Sequence, residues 1–167
     1  MKWVKTYESF LDEGNKDMRV GLDYLQSIQS DEPFNTKQPL YHLVMRQAYY
    51  DKVEKEGLIP SRPKAGTHGG GLKGELFEGV WLSSLDNVSD IVSFHYLPRR
   101  YEYDGVLLQI DGTQLDPNLF SIGIEIPPKL MIDVKADKKI SRDDYYKQSD
   151  EIVYLGKIPP KAIKLLS

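Results

Sequence analysis

No cysteine occurs among the 167 residues of this chain. That absence excludes disulfides, thiolate metal sites and a thiol nucleophile, and it suits a reducing cytoplasm. No stretch is long and apolar enough to cross a membrane. The opening Met1-Lys2-Trp3-Val4-Lys5 lacks the apolar run of a secretion signal, so the expectation is a cytoplasmic protein with no membrane partner. Positive charge is not in excess: 22 Lys and Arg stand against 25 Asp and Glu, for a net charge of -3. There is therefore no global basic field to hold nucleic acid. His68 stands far from other ligand types, which leaves no case for a metal. What remains is ordinary for a globular protein, with 40% hydrophobic and 28% charged residues. The length fits one domain, or one domain with a small appendage.

The N-terminal part differs from the rest. Tyr7, Phe10 and Leu11 fall on one face of a short helix stopped by Gly14, and Met18, Val20, Leu22, Leu25 and Ile28 space a second one. The tract 32–39 is polar, with two prolines, and reads as a linker. This divides the chain into a helical appendage and linker, 1–38, and a main domain, 39–167. In the latter the pattern predicts strands at 40–44, 80–82, 106–111, 122–126, 152–155 and 163–166, with a weaker candidate at 131–134. Helices are expected at 46–56, capped by Gly57, and at 87–96. The segment 61–74 is a Gly-rich loop, and Lys135 to Lys139 with Arg142 form a charged segment before Glu151. Helices come mostly before residue 80 and strands after it, an order that favours α+β over a doubly wound parallel sheet.

Within this pattern Glu151 is out of place. Asp150-Glu151 sits directly against the apolar run Ile152-Val153-Tyr154-Leu155, and desolvating a carboxylate is costly. Two earlier segments go with it, Leu40-Tyr41-His42 and Gly79-Val80-Trp81-Leu82-Ser83-Ser84. In that order they resemble the blocks of the ADP-ribosyltransferase superfamily, His-Tyr-Glu type, which includes poly(ADP-ribose) polymerases and diphtheria toxin. The sequence Lys55-Glu56-Gly57-Leu58-Ile59-Pro60 is similar to the turn that closes the family's first block. The run 106–111 with Leu115-Asp116 is similar to its central strand, and Ile158-Pro159-Pro160-Lys161-Ala162-Ile163 to its C-terminal tail. The likeness spans 39–167. The opening residues 1–14 are also similar to the starts of proteins from large tailed phages.

The resemblance implies a split antiparallel β-sheet with flanking helices, NAD as substrate and a macromolecular acceptor, protein or nucleic acid. Glu151 and His42 take the catalytic places. Tyr41, His42, Trp81, Ser83, Arg62 and an aromatic from the helix after the second block would bind NAD. For that aromatic Phe94, His95 and Tyr96 all stand near the right place. Trp81 departs from the family's Tyr, exchanging a hydroxyl for one indole donor. Ser149 stands where arginine-modifying members carry Glu or Gln, which argues against arginine as acceptor. Two other classes share the fold: an RNA 2′-phosphotransferase and a non-catalytic module that binds a nucleotide or protein. A toxin-like or phage setting, acting in a host cytoplasm, fits so small a transferase.

Each residue also has a plain reading. His42 and Trp81 suit a core, and Glu151 suits a solvated strand start. Arg62, Lys64 and His68 suit a surface loop, and Arg99 and Arg100 a solvated connector.

Overall fold

The computed structural model describes residues 18–44, 47–61, 78–87, 90, 105–123 and 125–166. Across them four α-helices and six strands make an α+β fold around one antiparallel sheet. The strands are β1 (Leu40–Val44), β2 (Val80–Ser83), β3 (Val106–Ile110), β4 (Phe120–Ser121), β5 (Glu151–Tyr154) and β6 (Ile163–Leu165), in the order β4-β5-β2-β1-β3-β6. β1 pairs with β3 along its whole length, and β2 with β5 along its whole length. Between β1 and β2 the ladder pairs only Tyr41 with Ser83. The sheet is thus two halves, β4-β5-β2 and β1-β3-β6, that meet at one point and part beyond it.

The period of two along a strand explains which side is core. Leu40, Val44, Val80, Leu82, Val106, Leu108, Ile110, Phe120, Ile152 and Tyr154 alternate onto one face and are all buried. The intervening row carries Tyr41, Trp81, Ser83, Gln109 and Glu151 beside Leu107 and Val153. Polar and aromatic side chains therefore collect on the second face, around the parting.

The helices close the core. In α1 (Met18–Ile28) Tyr24, Leu25 and Ile28 share one face and join the same buried cluster as the sheet. Just after it, the buried Gln29 donates from Nε2 to Leu25 O at 2.9 Å and Ser121 Oγ at 3.2 Å, and accepts from Ile122 N at 3.2 Å. Phe34, in the tract read as linker, is also buried, its ring centroid 4.4 Å from that of Phe120 and its edge to Tyr146. A 3₁₀ turn, Gln47–Tyr49, leads into α2 (Tyr50–Glu56), which Gly57 ends at φ 79.

Three expectations are corrected. Residues 131–134 are not a strand but lie in α3 (Pro128–Lys135), where Pro128 suits the first turn. Leu130 and Val134, one turn apart, are buried there, while Ile132 is 68% exposed, a helical period that four residues could not display. The edge strand expected at 122–126 lies earlier, at Phe120–Ser121, because Phe120 pairs with Tyr154 and packs its ring against it, tilted, at 4.9 Å between centroids. The charged segment before Glu151 runs into a further helix, α4 (Arg142–Ser149). Ser141 caps it by accepting from Asp144 N at 3.0 Å, with Asp143 and Asp144 in the first turn. The expected helix at 6–14, nearly all of the one at 87–96, and the Gly-rich loop after Ser61 fall outside the described residues. No helix among the described residues is long and apolar enough to cross a membrane.

Candidate functional site

Three adjacent strands bring most of the candidate residues together. In the β2–β5 ladder Ser83 lies opposite Glu151 and Trp81 opposite Val153. In the β1–β2 ladder Tyr41 lies opposite the same Ser83. Directly opposed residues of antiparallel strands project to the same face. Tyr41, Trp81, Ser83 and Glu151 therefore share one face at the parting of the sheet.

Glu151 is only 9% exposed at the head of β5, so the sheet holds a carboxylate where solvent barely reaches. Its surroundings are outlined by Gly123, just beyond β4. A side chain there would set its Cβ 2.7 Å from the Tyr145 hydroxyl oxygen, 3.2 Å from Cζ3 of Trp81 and 3.4 Å from Oε1 of Glu151. Indole, carboxylate and phenol thus converge on one bare stretch of backbone. Tyr145, fully buried in α4, donates its hydroxyl to Glu125 O at 3.1 Å and so ties the far side of this stretch.

Backbone anchoring around Glu151 is dense. Ser149 Oγ donates to Glu151 O at 3.0 Å and accepts from Glu151 N at 3.3 Å. The side chain two residues before the carboxylate is thus spent on the local chain. Ser83 Oγ accepts from Leu85 N at 3.0 Å, turning the chain after β2.

His42 sits differently. Alternation turns it away from the face of Tyr41 and into the core row of β1, between Leu40 and Val44. Its Nδ1 lies 2.7 Å from the Trp81 carbonyl oxygen, bridging β1 and β2 where their ladder has lapsed. A carbonyl only accepts, so Nδ1 carries the proton, and in the neutral ring Nε2 is left as an acceptor. Burial lowers the pKa of the ring from its ordinary 6.5, with the bond to Trp81 opposing. The ring is neutral across the physiological range.

Beside Glu151 a polar cleft of about 420 Å³ is lined by Asn35, Gln38, Ser84, Asp143, Asp144, Tyr146, Lys147 and Asp150. Tyr146 donates its hydroxyl to Pro39 O. Burial, then the negative charge of Asp150, then Tyr41, push its pKa up. The remaining candidates, Phe94, Tyr96 and Arg62, lie outside the described residues. Sequence reasoning missed Gly123, Tyr145, Ser84 and Asp150. The adjacent Asp150-Glu151 was visible, but the other three positions carry no local signal.

No family model matches the chain, and no curated protein matches it. The class defined by the geometry is an α+β protein with a parted antiparallel sheet and a buried carboxylate at the parting. Among solved structures, a chain named EcPltA superposes with a TM-score of 0.43 at 12% identity, over 75% of this chain and 72% of that one. A likeness at that level does not define a fold family.

Proposed function

We propose that this protein transfers ADP-ribose from NAD to a macromolecular acceptor and releases nicotinamide. The observation that carries the reading is Glu151, a residue only 9% exposed, on one face with Trp81 and Tyr41 where β1 and β2 separate. NAD supplies the leaving group, since loss of its nicotinamide builds positive charge on the adjoining sugar, as in glycoside cleavage. A shielded carboxylate beside that sugar stabilises the charge more strongly than an exposed one. Trp81 offers a flat apolar wall for a neutral ring. His42, in the opposite row of the sheet, serves this site by tying β1 to the Trp81 carbonyl where the strands part. The Tyr-to-Trp departure is compatible with a wall role, because stacking needs a ring face and not a hydroxyl. The motif order in 39–167 supports the same reading.

The test is nicotinamide release from NAD by wild type and Glu151→Gln, alone and with cell lysate as acceptor source. The expected result is release stimulated by lysate and reduced at least about 100-fold by Glu151→Gln. Equal release by both proteins would exclude a role for the carboxylate. No release together with no shift of melting temperature by NAD would leave a binding module. NAD-dependent dephosphorylation of a 2′-phosphorylated RNA that survives Glu151→Gln would indicate the phosphotransferase.

A further inference from the structure

Asp150, immediately before Glu151, is in the left-handed region at φ 58, ψ 17. It ends α4 by donating its backbone N–H to Tyr146 O at 2.9 Å. Glycine is the usual residue at such a helix end, since a Cβ there is disfavoured. A left-handed non-glycine residue is held by its surroundings, and such strain gathers at functional sites. The aspartate does what glycine would not: its Oδ1 accepts from Ser84 Oγ at 2.8 Å. In return Ser84 N donates to Asp150 O at 2.9 Å. Side chain and backbone of one residue are thus both bound by the other.

The position of this reciprocal pair gives it a consequence. Ser84 follows Ser83, and Asp150 precedes Glu151, while Ser83 and Glu151 are themselves opposed in the ladder. The clamp continues the β2–β5 pairing one residue beyond its last rung, up to the carboxylate-bearing residue. Ser149 Oγ holds the Glu151 backbone from the helix side. The peptide joining Asp150 to Glu151 is thereby fixed at both ends, and with it the direction in which the Glu151 side chain leaves the strand. We infer that Ser84 and Asp150 are positioning residues that aim the Glu151 carboxylate. The inference rests on the reading of Glu151 as the group that acts on substrate, and it adds the device that sets its geometry.

Three variants separate this from a merely structural role. Ser84→Ala removes the donor. Asp150→Gly removes the acceptor but relieves the left-handed strain, so its fold is not penalised at that backbone dihedral. Asp150→Asn keeps an acceptor oxygen and tolerates the same conformation. The deciding readout is the titration midpoint of the ¹³C-labelled Glu151 carboxyl by NMR. It is expected to move in Ser84→Ala, which changes no charge, and to differ between Asp150→Gly and Asp150→Asn, which lose the same charge while only the second keeps the acceptor. In nicotinamide release, the first two should lose about tenfold or more in kcat, with KM for NAD changed less than about twofold, and Asp150→Asn should recover most of the loss. An unmoved carboxyl midpoint in Ser84→Ala, with equal midpoints in Asp150→Gly and Asp150→Asn, overturns the inference whatever the activities are. A moved midpoint in a protein whose wild type releases no nicotinamide upholds the clamp and rejects the transferase reading instead.

Discussion

At Gly123 the missing side chain is what lets three groups meet. A Cβ there would press on the Tyr145 hydroxyl at 2.7 Å and crowd the indole of Trp81 and the carboxylate of Glu151. Gly123→Ala is expected to cost about 1–3 kcal/mol, read by urea denaturation. Adding Tyr145→Phe removes the atom that is struck first, so the double variant should be less destabilised than the sum of the two singles. Strict additivity would show that the groups are not in contact. His42 makes a prediction of opposite character. Its folded pKa lies below 6.5, so below that pH the unfolded chain binds more protons than the folded one and stability falls. About one pH unit above 6.5 both states are neutral at this residue and its pH dependence vanishes. Against His42→Gln, the wild type should lose extra stability as pH drops from about 7 toward 5, measured by melting temperature. Identical slopes for the two proteins would contradict the partly buried, neutral imidazole. At this scale the sequence was informative where a residue clashed with its surroundings. Glu151 beside an apolar run, and His42 within a strand, both stand out by type. Gly123 and Ser84 do not, because their role depends on chain brought near by the fold.

Among the elements, strands were legible and the stretch 120–149 was not. The alternation of β1, β2, β3 and β5 is dictated by a buried face, so it shows in the sequence. Residues 122–134 contain enough isoleucine and valine to mimic a strand, yet proline at 127 and 128 and burial at Leu130 and Val134 make a helix. α4 has polar and tyrosine-rich faces, and only its Ser141 cap and first-turn aspartates signalled it. Element ends make a sharper prediction. Gly57, at φ 79, lies against the Ile158 carbonyl, so that a Cβ would overlap the oxygen that accepts from Leu58 N at 2.9 Å. Gly57→Ala should cost about 3 kcal/mol. A loss under about 0.5 kcal/mol in urea unfolding would mean that the turn is not held against the C-terminal segment.

For the whole molecule, the parted sheet is the organising fact. Two half-sheets joined at Tyr41 and Ser83 create an internal edge, and His42 with the Trp81 carbonyl bridges it. Such an edge leaves backbone groups to be satisfied, which places polar side chains there for physical reasons before any function is considered. The core does not respect the composition shift near residue 39, since Leu25, Ile28 and Phe34 pack with Phe120 and Tyr146. Phe34→Ala is expected to cost about 3–5 kcal/mol in a single cooperative unfolding transition seen equally by far-UV and near-UV circular dichroism. Two separated transitions would show that α1 and its following tract unfold apart from the sheet. The hydrophobic content foretold a core, but could not show that a Pro-flanked aromatic in a polar tract would join it.

The central claim is that Glu151 acts in moving ADP-ribose from NAD to a macromolecule. The most direct measurement is transfer of label from NAD radiolabelled in the adenylate phosphate onto lysate macromolecules, by wild type and by Glu151→Gln with its fold verified. The account predicts label retained on macromolecules after denaturing separation with wild type and at background with the variant. Equal labelling by the two proteins, or none by the wild type against lysate from any source, would contradict it.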